Sequence, residues 1–293
     1  MPDILRAILL MVLGSFLFML ADLFMKLSTQ TMSLGLVTML LGGGMAVFFA
    51  VLMVRSNAAF FDRRYIHYAM AMRCTGEAIG VLGIVTALAF SPLATVTALM
   101  QSLPLVLTVM GAVFLKEPVG WRRVLALFAG MLGVLIIIRP GMAGFDVFAT
   151  FTLLGVAGMA IRDFGTRIMP REISTATLSF YSSLTLVVMG GVMIVVSGDW
   201  RPPTGEGMRF AVGLVVVGSL GTLAVSTAMR LGDVSVISPF RYVRVVFGVG
   251  AGILVFGETV DLPIILGSTI VIGAGLYSWM RERKLSRVTM EES

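Results

Sequence analysis

The segment VISPFRYVRVVFGVGAGILVFG, Val236 to Gly257, is apolar over nearly its whole length, yet it holds Arg241 and Arg244 three residues apart. Placing a basic residue at the centre of a lipid-embedded helix costs about 2.5–3.5 kcal/mol on insertion scales, so such residues face a bundle interior or water. With a helix starting near Val234, a rise of about 1.5 Å per residue puts Arg241 about 10 Å and Arg244 about 15 Å into the bilayer. At that spacing the two side chains share a face, with Tyr242 about 100° away from Arg241. Together they make a fork for a carboxylate or another flat anion.

The rest of the chain agrees that lipid is the solvent. Of 293 residues, 58% are hydrophobic and 13% charged, with a mean hydropathy of +0.99. Soluble domains carry about 25% charged residues. The net charge of +6 is scattered through short loops, which argues against a nucleic-acid surface. One cysteine, Cys74, and one histidine, His67, exclude a disulfide framework and a multi-histidine metal site, and no cofactor is expected. The N-terminal apolar run is longer than a secretory signal and has no small-x-small cleavage site, so it reads as a retained first helix.

Runs of about 20 apolar residues, enough to cross the hydrocarbon core, occupy approximately 4–27, 32–54, 65–90, 92–115, 121–138, 147–169, 174–197, 208–230, 234–256 and 262–280. The expectation is an all-α integral membrane protein of ten transmembrane helices. Basic residues number 14 on the side of the N-terminus and 4 on the other, with the remaining 4 inside spans, which predicts both termini in the cytoplasm. Trp121, Trp200 and Trp279 fall at span ends, as an interfacial belt would place them.

The chain also repeats at one offset of 141 residues. Gly14 matches Gly155, Asp22 matches Asp163, Lys26 matches Arg167, Gly80 matches Gly221, and Glu117 matches Glu258; Thr86 and Ala87 match Thr227 and Ala228, and Ala94 and Thr97 face Ser235 and Ser238. Two five-helix halves must enter the membrane in opposite senses, so residues 1–141 and 142–282 form an inverted repeat, with 283–293 as a polar cytoplasmic tail.

The segments ADLFMK (21–26), RDFGTR (162–167), Arg73, GAVFLKEPVGWRR (111–123) and ISPFRY with LVFGE (237–242, 254–258) resemble the drug/metabolite transporter superfamily, in its ten-helix branch with two EamA domains. Within that branch they look most like bacterial carriers of S-adenosylmethionine or riboflavin; the branch also contains amino-acid and metabolite exporters. The resemblance implies a carrier of a small organic solute in the cell inner membrane, with the lipid bilayer and that solute as partners, no nucleic acid, and either a monomer or a homodimer as the working unit.

Candidate substrate-binding residues are Arg241, Arg244, Arg73, Glu77, Tyr242 and Gln101. Arg73 and Glu77 are four apart on the third span: either they neutralise each other, or Glu77 stands opposite Arg244 as a counter-ion and proton carrier. Gln101 and Pro104 are placed beside the site because their repeat counterparts are Tyr242 and Val245, and Tyr181 is a weaker candidate. Asp22 with Lys26 and Asp163 with Arg167, each an acid and a base one turn apart, read as interfacial anchors or as matched gates. Gly76 and Gly80 have the small-xxx-small spacing of close helix packing, while Glu117 and Glu258 read as caps of following helices. No GxxxxGK[ST] loop is present, which leaves exchange or proton coupling as the energy source. An intramembrane enzyme lacks a nucleophile or metal constellation, and a passive channel has no need of paired charges in both halves.

Overall fold

Glycines decide how closely these helices approach. In the computed structural model, which describes residues 3–114, 121–140, 146–170, 172–231 and 238–291, the described residues form helices and no strand. In chain order these are α1 (Asp3–Thr31), α2 (Leu34–Arg55), α3 (Tyr68–Phe90), α4 (Leu93–Met100), α5 (Leu103–Phe114), α6 (Trp121–Ile138), α7 (Thr150–Arg167), α8 (Thr175–Ser197), α9 (Gly205–Leu231), α10 (Val243–Phe256) and α11 (Leu262–Glu291). Short 3₁₀ turns cover Arg63–Tyr65 and Ser238–Tyr242. Among the described residues six segments are long and apolar enough to cross a membrane: Leu5–Thr31, Leu34–Arg55, Tyr68–Phe90, Leu93–Phe114, Thr175–Ser197 and Gly205–Ala228. Val124–Ile138 and Leu262–Tyr277 are shorter apolar helices. α11 continues to Glu291, so the expected tail prolongs a helix.

Packing pairs one helix from each half. α1 lies along α9, α3 along α7, α2 along α8, α6 along α11, and α4 along α10. The first two pairs are the same contact built twice. A Cβ on Gly80 would touch the Gly155 carbonyl at 3.6 Å, and a Cβ on Gly14 would touch the Gly221 carbonyl at 3.4 Å. These are the same two positions under the 141-residue offset. Along α3 and α7, Gly76, Gly80 and Gly83 run against Arg162, Gly158 and Gly155 in reversed order, so the helices are antiparallel and backbone meets backbone. Small residues of this kind let membrane helices gain packing where no hydrophobic force operates between them.

Both halves also interrupt their fourth helix at one register. In the first half, α4 ends and α5 begins across Gln101 and Ser102; Ser102 donates its hydroxyl to the Leu99 carbonyl at 2.7 Å, and Pro104 sits in the first turn of α5, where its missing N–H costs little. In the second half the 3₁₀ turn ends at Tyr242 and α10 starts at Val243, the counterparts of Gln101 and Ser102. The expectation of one continuous helix over 234–256 is corrected to this turn plus helix; the segment 232–237 lies outside the described residues.

Before α3, Asp62 accepts from the Arg64 backbone and side chain at 2.9 Å. The Arg64 side chain first, then its backbone N–H, holds the Asp62 carboxyl below the ordinary carboxylate range. Tyr181, on α8, donates to the Phe60 carbonyl at 2.7 Å and so ties this connection to the bundle.

Candidate functional site

Four elements bring charge together: α1, α3, α7 and the segment from Arg241 to Arg244. Asp22, two-thirds of the way along α1, accepts a hydrogen-bonded ion pair from Arg244 in the first turn of α10. The Arg244 guanidinium also lies 5.5 Å from the centre of the Phe18 ring, and its Nε is buried with no partner among the described residues. Arg241, in the 3₁₀ turn, reaches α7 instead, 3.9 Å from Asp163. The two arginines therefore splay toward the two repeat-equivalent aspartates rather than closing as one fork.

Asp163 also accepts from Arg162 at 3.0 Å from Nε and 2.9 Å from a terminal nitrogen, and Arg162 stands 3.6 Å from Glu77. The sequence reading that set Glu77 opposite Arg244 is corrected: α1, not α3, brings the acid to Arg244. Arg73, one turn into α3, donates to the Thr166 hydroxyl and, at 3.4 Å, to the Leu178 carbonyl. It joins α3 to α7 and α8; Glu77 stands within the field of its charge but makes its ion pair with Arg162. The Arg241, Arg162 and Asp163 side chains keep 27%, 23% and 22% of their surface accessible, whereas Asp22 is buried.

A second network closes the end of the bundle where α1 finishes. Lys26 pairs with Glu258 at 3.2 Å, not with Asp22, and donates to the Ser91 carbonyl at 2.5 Å. Glu258 accepts from the backbone N–H groups of Leu93 and Ala94 at 2.7 and 3.0 Å, so it caps α4 from the opposite half instead of the helix that follows it. This satisfies two of the donors that a helix start leaves open and sets a negative charge on the positive end of its dipole. The return is made at Gly257, whose φ of +63° favours glycine, and the Glu258 carboxylate folds back over Gly252, where a Cβ would collide with it.

Of the other sequence candidates, Gln101 is buried at the α4–α5 break. Tyr242 is buried with its hydroxyl against Gly275 of α11 and without a hydrogen-bond partner among the described residues. Glu117, Ser235 and the side chains of Arg167, Ser238 and Trp279 lie outside the described residues. Arg162 and Glu258 are the members sequence reasoning did not assign to the site. A basic residue within a span is itself the signal for Arg162; nothing local in the sequence points Glu258 at Leu93. Among the described residues no group of three or more His, Cys, Asp or Glu is arranged to hold a metal ion.

Comparison with known proteins fits this architecture. The profile of the EamA-like transporter family matches residues 5–139 and 148–279. An S-adenosylmethionine uptake transporter of Rickettsia felis is 26% identical over 200 residues, 67% of this chain and just under two thirds (66%) of that protein. A riboflavin transporter of Brucella anthropi is 28% identical over 226 residues, 75% of this chain and 80% of its own. A pseudopaline exporter of Pseudomonas aeruginosa is 24% identical over 281 residues, 93% and 95% of the two chains. One solved crystal structure shares the fold at a TM-score of 0.66 and 14% identity, over 95% of this chain and 98% of that one. With most of its length matched in two successive blocks, the chain belongs to the EamA-like transporter family, among transporters rather than enzymes.

Proposed function

We propose that this chain is a secondary carrier that moves a small organic solute by alternating access across the inner membrane, with ten crossings, two inverted repeats and both termini in the cytoplasm. The carrying observation is the meeting of α1, α3, α7 and the broken fourth helix of the second half around Asp22, Glu77, Asp163, Arg162, Arg241 and Arg244. Interrupted helices whose ends face a charged centre are the usual way a transporter coordinates cargo at a repeat interface. In this reading Arg241, Arg244, Arg73, Glu77 and Gln101 contact the solute, with Tyr242 at the edge of the site. Asp22 and Asp163 act as counter-ions that the solute displaces, and Glu77 is the proton-carrying candidate. Lys26 with Glu258 closes one face, while Arg167 near Asp163 serves the other.

The relatives' names support a vitamin, a nucleoside-type metabolite or an amino-acid derivative, such as riboflavin or S-adenosylmethionine, as cargo. The exporter among them keeps outward transport of a metabolite as the second reading. Counterflow in proteoliposomes tests the proposal. Trans-loading with unlabelled riboflavin or S-adenosylmethionine should accelerate entry of the same labelled compound, and Arg244→Gln should abolish the effect. Entry that is neither saturable nor accelerated by trans-loading would indicate a channel.

A further inference from the structure

The fold builds one helix corner twice, and only one copy carries charge. The α3–α7 contact and the α1–α9 contact are equivalent under the 141-residue offset, and α8 stands to the first as α2 stands to the second. At the corner where α3, α7 and α8 meet, Arg73 bonds Thr166 and the Leu178 carbonyl, and Ser182 follows Leu178 by one turn of α8. Their counterparts are Leu214, Met25, Val37 and Leu41. Those four belong to one apolar cluster, with Leu214, Met25 and Val37 buried and Leu41 packed against them. The architecture thus closes this corner with hydrocarbon alone, and an arginine there has to be explained by something other than folding.

Arg73 is also the arginine of the group whose partners are neutral among the described residues. Asp22 is held by Arg244, and Asp163 and Glu77 by Arg162, with Arg241 beside Asp163. Arg73 has the Thr166 hydroxyl and the Leu178 carbonyl. Among the described residues of this group three acids stand against four arginines, and Arg73, though within the field of Glu77 and Asp163, is the one that makes no ion pair with any of them. One turn beyond Leu178, on the same face of α8, Ser182 is only 6% exposed and its hydroxyl has no partner among the described residues. A planar guanidinium with donors to spare and an idle hydroxyl fit two oxygens of one flat monoanion.

Resting on the carrier reading above, we propose that Arg73, Thr166 and Ser182 form the subsite that takes a carboxylate of the transported solute. Arg241 and Arg244 then serve the exchange of counter-ions with Asp163 and Asp22, and the cargo belongs to the small organic carboxylates, zwitterions included.

The test copies the apolar corner into the charged one. Full-length Arg73→Leu, alone and with Ser182→Leu, is compared with wild type and with Ser182→Ala. Because the other half already tolerates leucine at the equivalent positions, the apparent melting temperature of Arg73→Leu should stay near or above that of wild type. A collapse of folding in Arg73→Leu would make the arginine a structural keystone and overturn the proposal.

Binding is then read by thermal shift with paired probes: S-adenosylmethionine and its decarboxylated form, glutamate and 4-aminobutyrate's carboxamide, and riboflavin as a carboxylate-free probe. The carboxylate-bearing member of a pair should bind at least about tenfold more tightly to wild type. Arg73→Leu should erase that preference, and Ser182→Ala should weaken it with folding intact. Equal binding of both members, a preference that survives Arg73→Leu, or no shift by any carboxylate overturns the subsite. Counterflow of riboflavin alone would do so while leaving the carrier reading standing; carboxylate binding without counterflow of any probe would remove the carrier reading and leave the subsite.

Discussion

Asp22 and Arg244, 222 residues apart in sequence, are joined by a hydrogen-bonded ion pair that ties the first helix of one half to the broken fourth helix of the other. Their side chains are 10% and 15% accessible, so each would leave an ill-solvated charge if its partner were lost. Asp22→Asn and Arg244→Gln should each lower thermal stability, and the double variant should recover part of the loss. A double-mutant cycle should give a coupling of about 0.5–3 kcal/mol; additive effects would mean that the pair holds nothing together.

Tyr242 offers a test of the opposite sign. Its hydroxyl is buried and lacks a partner among the described residues, and a buried unsatisfied polar group costs about 1–3 kcal/mol. Tyr242→Phe should therefore hold or raise the melting temperature. Gly275→Ala, whose new methyl would fall on that hydroxyl, should lower it. A Tyr242→Phe variant that folds normally but no longer transports would return the hydroxyl to a role in binding cargo.

The glycines divide into two predicted classes. A Cβ on Gly158 would strike the Gly80 backbone, and one on Gly83 would strike Gly155, so alanine at either position should force α3 and α7 apart and destabilise the protein strongly. Gly43, Gly191 and Gly273 have open space at the same point, and alanine there should be neutral or stabilising by about 0.5–1 kcal/mol through helix propensity. Thermal denaturation of the five single variants checks the ranking.

Glu258 should be more sensitive to shape than its place after a helix suggests. Glu258→Ala removes the cap of α4 and the partner of Lys26 together. The capping part alone should cost about 0.5–2 kcal/mol. Glu258→Gln keeps an acceptor for the Leu93 and Ala94 amides and should lose less. If the network closes that face, a cysteine at Ser91 should react faster with a membrane-impermeant maleimide in Glu258→Ala than in the wild-type background.

The helices, the 141-residue offset and the close packing of Gly76 and Gly80 were legible because they are written in local composition and spacing. Which acid meets which arginine was not. Depth along an uninterrupted helix suggested Glu77 for Arg244, but the interruption at Tyr242–Val243 resets that register, and the crossing of α1 over α10 brings Asp22 instead. Likewise Asp22 and Lys26 sit one turn apart and would be paired by spacing; each finds a stronger partner across the repeat boundary. A repeat predicts which positions are equivalent, whereas contacts between repeats follow from how the halves dock.

The cap on α4 bears on how the protein is made. The first turn of that helix, at Leu93 and Ala94, receives its carboxylate from residue 258 of a 293-residue chain. During synthesis those amides wait, unpaired within the protein, while 164 further residues are translated, so the first half leaves the ribosome with one helix end unfinished. A fragment ending at residue 141 should insert into the membrane yet stay short of its final packing, and it should reach that packing when the second half is supplied as a separate chain.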